Sequence, residues 1–277
     1  MTIGRMAQMN FSYRSMVANQ LSSASSMNRL SSGLRINSAA DDAAGLAVSE
    51  RMRGQIRGLD MAYQNTHNGL QLANTAEGNL SSSSDIIVRM RELAVRASDG
   101  TMGDAERGFL NDEMTQLRGE LDRISGSANY NGINLLDGSL SAGSAMRFQV
   151  GAQGESDQRI EMSIGNMSSR GLGLENINLS TIDGANSALA AIDRASEMIS
   201  DQRGSIGAVQ NRLEHTMNNI GVSTENLASS ESRIRDLDMA FEAMRRTQSS
   251  IMNQTSQAMM SQAMNLSRGH MMGLLMR

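Results

Sequence analysis

The chain has 277 residues, with 25 basic and 29 acidic side chains and a formal net charge of −4. Four Phe and three Tyr make only 3% aromatic content; Cys, Pro and Trp are absent, and no Lys occurs, so every basic side chain is Arg. These figures exclude disulfides and thiolate metal sites. They offer no basic surplus for a nucleic-acid partner and argue against a core built on aromatic anchors. No run approaches the roughly 20 apolar residues of a membrane span, and the opening Met1-Thr2-Ile3-Gly4-Arg5-Met6 lacks the apolar stretch of a secretory signal.

Without Pro, helices can run unbroken. Residues 5–34 carry Met6, Met9, Tyr13, Met16, Leu21, Ala24, Met27, Leu30 and Leu34, mostly three or four apart, which predicts an amphipathic helix diluted by Ser, Asn and Gln. A longer helix is predicted over 42–98 on Met52, Ile56, Leu59, Tyr63, Leu70, Ala73, Leu80, Ile87 and Ala94. Asp41-Asp42 reads as the negatively charged first turn of that helix, not as a catalytic carboxylate pair. Asp99-Gly100-Thr101-Met102-Gly103-Asp104 breaks it, with Asp104 as N-cap of a third helix over 104–125 carrying Leu110, Met114, Leu117, Leu121 and Ile124.

The middle changes character. Asn129-Tyr130-Asn131-Gly132 and Leu136-Asp137-Gly138-Ser139 are turn signals. Residues 146–150 and 159–164 alternate apolar and polar and read as two strands joined by 151–156, a hairpin capping one end of the helical part. From about 186 to 236 a heptad runs without a miss through Ile192, Ile199, Ile206, Leu213, Ile220, Leu227 and Ile234. A helix of that span is roughly 75 Å long at ~1.5 Å per residue. Residues 237–266 repeat the amphipathic pattern on Leu237, Phe241, Met244, Gln248, Ile251, Thr255, Ala258, Gln262 and Leu266. Neither terminal helix can bury much apolar area alone, so each needs the other and then neighbouring molecules. The expected fold is mostly α: a long antiparallel helical coiled-coil rod with a small β-hairpin element and paired N- and C-terminal helices.

Chemistry is hard to find. His67, His215 and His270 have no second His or Cys at ligand spacing. No Ser lies in a G-x-S-x-G elbow, and Gly171-Leu172-Gly173 does not continue into a dinucleotide fingerprint. No catalytic residue, cofactor or metal is expected, and the chain reads as a non-enzyme. The 24 Met read either as adaptable packing or as composition in which Met replaces Leu.

Leu30-Ser31-Ser32-Gly33-Leu34-Arg35-Ile36-Asn37-Ser38-Ala39-Ala40-Asp41-Asp42-Ala43-Ala44-Gly45-Leu46-Ala47, continued by Met52-Arg53-Gly54-Gln55-Ile56-Arg57-Gly58-Leu59, resembles the N-terminal signature of the bacterial flagellins. Gly207–Thr216 and Glu231–Ala240 resemble the matching C-terminal blocks, and the likeness covers nearly the whole chain in order. The short middle, from about 130 to 185, makes this similar to a minimal flagellin without large outer domains. The ends depart from the family: Gly4 and Met6 stand where Asn is usual, and Met264-Asn265-Leu266-Ser267-Arg268 replaces an Asn-Gln-x-Pro-Gln run.

The resemblance implies a structural subunit that polymerises into the flagellar filament for motility, outside the cell, exported without a cleavable signal. It implies an inner coiled-coil domain from 1–36 and 237–277, and a helical rod domain over 37–236 with its hairpin region at about 130–180. Inner-tube polymerisation would fall to Met6, Met9, Tyr13, Met16, Leu21, Met27, Leu30, Phe241, Met244, Ile251, Met259, Leu266, Leu274 and Leu275. Receptor recognition and axial subunit contact would fall to Arg89, Leu93 and Glu113, with Val88 departing from the Gln common there. The implied partners are further copies of the chain, an export chaperone on the C-terminal segment, filament cap and hook-junction proteins, and a host innate immune receptor, with no nucleic acid and no membrane insertion. A hook–filament junction protein, a secreted coiled-coil protein with an enzymatic insert and a cytoplasmic coiled-coil adaptor stay open as alternatives.

Overall fold

The computed structural model describes the backbone of residues 2–141 and 143–275, and the side chains of residues 7, 9–141 and 143–265. In chain order the elements are α1 (Thr2–Ser32), α2 (Ala43–Ala97), α3 (Asp104–Ser127), β1 (Asn129–Tyr130), β2 (Ile133–Asn134), β3 (Met146–Gln149), β4 (Arg159–Met162), α4 (Ile182–Arg235) and α5 (Met239–Leu275). They form two compact units: Met1–Gly54 together with Asn226–Arg277, and Gln55–Glu225.

The larger unit is held by one apolar core. The α4 heptad supplies Ile192, Ile199, Ile206 and Leu213, α2 supplies Leu80, Ile87, Met90 and Ala94, and α3 supplies Leu110, Met114, Leu121 and Ile124. Helices α2 and α4 are antiparallel: Glu77 meets Arg203 at 2.8 Å, and Arg91 further along α2 meets Asp193 further back on α4, also at 2.8 Å. Each fully buried Leu or Ile is worth roughly 1.5–3 kcal/mol, against about 0–1 kcal/mol for each of these exposed ion pairs. The core therefore holds the unit together, and the pairs set register.

Two local expectations need correction. Tyr63 is on the exposed side of α2; the buried line there runs through Ala62, Thr66, Gly69 and Ala73. Small residues win because something must come close: a Cβ on Gly69 would sit 2.9 Å from the Phe148 ring of β3. Asp104 is the first residue of α3, not its N-cap. Gly103 caps with extended backbone (φ −77°, ψ 159°), and its N–H donates to Glu106 Oε2 at 3.1 Å. The buried Arg107 guanidinium donates to the carbonyls of Ala97 and Asp99, closing the end of α2.

The expected hairpin forms, with Met146 opposite Met162 and Gln149 opposite Arg159. It is shorter than the alternation suggested, because Ile164 N–H turns away to Leu140 O. It lies against the side of α2, with Ala152 over Gly58 and Asn65 Nδ2 donating to Gln149 O, and not across a helix end. A second, smaller hairpin pairs Tyr130 with Ile133 around Asn131 and Gly132 (φ 51° and 79°), the type I′ geometry its Asn-Gly signals.

The smaller unit is built differently. Helices α1 and α5 are antiparallel neighbours: Leu237 N–H donates to Gly33 O, and further along the pair the Ser249 hydroxyl donates to Ser22 Oγ. Their Cα atoms come within 8 Å along the pair, which other helix pairs reach only at isolated points. The residues that lose exposure recur at heptad spacing, but most are small or polar: Ser12, Met16, Asn19, Ser23, Ser26 and Leu30 on α1, and Ser249, Asn253, Ser256, Met260 and Ala263 on α5. Among the described residues Ile36 is the one apolar side chain of this unit that is buried.

The two units should therefore respond oppositely to truncation. Leu80→Ala, in the core of the larger unit, is expected to cost about 2–5 kcal/mol in urea unfolding. Leu21→Ala, 68% exposed in the smaller unit, should change the same measurement by no more than about 0.5 kcal/mol.

Candidate functional site

The segment joining α1 to α2 is tied to the segment joining α4 to α5. Gly33, at φ +70°, ends α1 with its N–H on Arg29 O at 2.8 Å, a left-handed conformation that glycine alone adopts without steric cost. The chain then forms a bridge between Leu34 and Asp236, and Arg35 donates its N–H to Arg235 O and its guanidinium to Ile234 O. Asp41 accepts at one oxygen from the Ser38 N–H and hydroxyl and from Asn37 N–H, and at the other from Arg29 at 3.0 Å. The Arg29 bond, then those of Ser38, hold its carboxyl down at about 2. Asp42 caps α2 by accepting Gly45 N–H, and Asp238 caps α5 by accepting Phe241 N–H. The aspartate pair thus precedes the first turn of α2 instead of lying within it. Arg235 reaches Glu50 at 2.7 Å and pulls its carboxyl pKa down, with Arg53 adding to the effect. Arg29 Nε, Arg235 Nε and Glu242 Oε1 are buried here without hydrogen-bond partners. The linkers are therefore fixed by charge and backbone bonds, with Ile36 the one buried apolar anchor among the described residues of this unit.

Outward from this elbow the helix pair presents its apolar side chains to solvent. Of the expected polymerisation residues, Met9, Tyr13, Leu21, Met27, Phe241, Met244, Ile251 and Met259 are all exposed. Met16 and Leu30 are half-buried and belong to the α1–α5 seam. Met6, Leu266, Leu274 and Leu275 lie outside the residues whose side chains are described. The apolar stripe of 237–266 is real, yet it faces away from α1: Phe241, Met244, Gln248, Ile251, Thr255, Ala258 and Gln262 are exposed, about 150° around the helix from the seam. A groove of about 470 Å³ lies along it between Met244 and Met252. The sequence reading missed Phe11, 73% exposed, together with Val17, Met239 and Met264 on the same helix pair. Phe11 had a signal, being an aromatic side chain set in a Ser-, Asn- and Gln-rich helix.

The three residues expected to act together on α2 and α3 separate. Arg89 donates through Nε and Nη2 to Glu113 Oε1 at 3.0 and 2.8 Å and through Nη1 to Glu92, and these carboxylates, Glu113 first, raise its pKa. Both members of the pair are at the surface. Leu93 is buried at 2% exposure and packs in the core, so it offers no surface in this conformation, because its position on α2 falls on the Met90–Ala94–Ala97 line. Phe109 and Val88 are exposed apolar groups on these two helices, as is Val95 further along α2.

Among the described residues no cluster of His, Cys, Asp or Glu could hold a metal ion, and no helix is long and apolar enough to cross a membrane. Helices with an apolar outer face and no apolar seam of their own define a subunit that completes itself by association. Residues 5–141 match the bacterial flagellin N-terminal helical region, and residues 189–269 match the bacterial flagellin C-terminal helical region. The flagellin of Halalkalibacterium halodurans is 44% identical over 251 residues, covering 91% of each chain. The flagellin of Bacillus subtilis is 43% identical, covering 89% of this chain and 90% of its own. A solved structure described as a flagellar hook-associated protein from Vibrio parahaemolyticus covers 71% of this chain and all of its own, with a TM-score of 0.57 at 16% identity, a likeness of fold.

The chain belongs to the bacterial flagellin family, and it is a short form. It is a structural, non-enzymatic subunit that self-assembles into the extracellular flagellar filament of motility.

Asp41 gives the elbow a defined acid limit. Its folded pKa, about 2, is below the ordinary 3.8, so its contribution is fully present above about pH 4 and is lost as pH falls toward 2. Protection factors of the Asn37 and Ser38 amides, taken relative to intrinsic exchange at each pH, should therefore fall on acidification through that window. Asp41→Asn should show the lowered protection already at neutral pH.

Proposed function

We propose that α1 and α5 are the element through which this flagellin enters the filament. The inner domain would comprise residues 1–36 and 237–277, and the helical domain residues 37–236. The observation that carries this is the inversion of the helix pair: small and polar residues face inward, while Leu21, Phe241, Met244 and Ile251 face outward. Burying each such side chain against a neighbour is worth roughly 1.5–3 kcal/mol. A contact that does not close on itself repeats along an open filament. Met6, Leu266, Leu274 and Leu275 add further apolar residues to the same two helices by sequence. The weak seam also suits export, since a pair that does not hold itself together is easily kept unfolded. The C-terminal segment, apolar and Met-rich, is the piece an export chaperone would cover, and cap and hook-junction proteins would meet the same helix pair at the two ends of the filament.

On the larger unit, the exposed Arg89–Glu113 pair with Val88 and Phe109 supports a second surface, used for axial contacts between subunits and, in the free subunit, for a host innate immune receptor. Leu93 serves it from beneath by holding α2 in place.

Leu21→Ser combined with Ile251→Ser should raise the critical concentration for seeded assembly more than tenfold. Loss of about 2 kcal/mol at each site suffices, at 1.4 kcal/mol per decade, and circular dichroism should show the larger unit folded as before. Unchanged assembly would remove the basis for the reading. A chain lacking residues 240–277 should stay monomeric with its central helices intact. For the second surface, Arg89→Ala should lower receptor signalling by the free subunit at least tenfold, whereas Arg123→Ala, also exposed on the larger unit, should leave it unchanged.

A further inference from the structure

The cations of this chain share one chemistry. All 25 basic residues are Arg, and among the described residues every ion pair uses a guanidinium. Several of these pairs join separate elements. Arg91–Asp193 and Arg203–Glu77 link α2 to α4, Arg89–Glu113 links α2 to α3, and Arg147–Glu161 links the strands of the larger hairpin. In the smaller unit Arg29–Asp41 and Arg235–Glu50 fix the linkers. The charged groups around them are themselves carboxylates and guanidinia: Glu92 beside Arg89, Arg53 beside Glu50, and Arg118 and Asp122 near the Arg170–Glu175 pair.

Carboxylates as a class ionise near pH 4 and imidazoles near 6.5; a lysine ammonium loses its proton near 10.4 and a guanidinium only above 12. Between about pH 8 and 10 none of the 25 side-chain cations of this protein therefore belongs to a class that deprotonates. Were the same 25 cations lysines, about 12 of them would be neutral at pH ~10.4, and the net charge would pass from −4 to roughly −16. In a lattice of identical subunits that change is repeated at every neighbour, and the repulsion accumulates. Arg spends no assembly strength on this in the neutral range, since both cations are charged there.

We infer that this filament is cation-fixed in alkali: its guanidinium groups and the ion pairs they make stay charged from neutral pH to beyond pH 10, a range in which a lysine-bearing subunit sheds its cations. The inference rests on the filament reading and adds a working range to it. Two linked features carry it, the Arg-only composition and the use of guanidinium in every inter-element pair. Replacing either would leave the fold's apolar core untouched.

The test compares the full chain with a variant in which Arg51, Arg53, Arg57, Arg91 and Arg96 of α2 and Arg194, Arg203, Arg212 and Arg233 of α4 are all changed to Lys. Critical concentration is measured by seeded assembly at pH 7.5, 9.0 and 10.4 and constant ionic strength. The natural chain should change less than threefold across the series. The variant should match it at pH 7.5 and rise at least tenfold by pH 10.4. If the variant assembles poorly even at pH 7.5, thermal unfolding of the two monomers over the same pH series gives the comparison, with only the variant losing stability toward pH 10.4. Assembly of the natural chain at pH 7.5 followed by dissolution before pH 10.4, or parallel loss in both chains, would overturn the inference. Failure to assemble at any pH would instead count against the filament reading.

Discussion

The seam between α1 and α5 governs the rest of this molecule. Ser12, Asn19, Ser23 and Ser26 on α1 and Ser249, Asn253 and Ser256 on α5 lose exposure where a coiled coil ordinarily places Leu and Ile. Small residues let the two backbones approach closely, but they transfer little apolar area from water, so the pair gains little by forming alone. Its apolar side chains are displaced to the outer faces, where only another molecule can cover them. On the proposed assembly reading, the stability that a self-contained coiled coil would keep inside is deferred to the polymer. Met at several outward positions suits such a surface, because an unbranched thioether chain fits several neighbour geometries.

The larger unit follows the opposite rule. Its helices share a core in which Leu80, Leu121, Ile192, Ile199 and Leu213 are sealed from solvent, and its ion pairs sit at the rim where each contributes little. It can hold its structure before assembly, and it presents Arg89, Glu113, Phe109 and Val88 on helices held by that core. Between these two regimes the linkers rely on electrostatics: Asp41 caged by Arg29 and Ser38, Glu50 held by Arg235, and two helix caps from Asp42 and Asp238. Such bonds are directional and short-ranged. They fix the path of the chain at residues 33–42 without requiring apolar bulk that would compete with the assembly face.

The guanidinium-only chemistry adds a third property. Apolar contacts are indifferent to pH, so the acid and alkaline limits of the assembly fall to its charges. On the acid side, Asp41 is the carboxylate held down to about 2, by Arg29 first and then Ser38. On the alkaline side no ammonium of lysine is present to fail.

Periodicity by itself determined the helices. The unbroken heptad from Ile192 to Ile234, the three-and-four spacing of Leu110 to Ile124 and the absence of Pro left no other secondary structure for most of the chain, because side-chain spacing and backbone period must agree for a face to be buried. The Asn-Gly turn and the alternating strands were equally local. Sequence also located the stripes of the two terminal helices, and the flagellin blocks gave them a purpose. Only tertiary structure decided which way each stripe faces. Spacing shows that Phe241, Met244 and Ile251 share a side of α5, but the intervening Ser249, Asn253 and Ser256 form an equally regular stripe, and the choice between them is made by the partner helix. For the same reason Tyr63 is displaced by Ala62, Leu93 sinks into the core beside Arg89, and Gly69 becomes the seat of Phe148. Burial is a property of two surfaces, and a single chain read in order contains only one of them at a time.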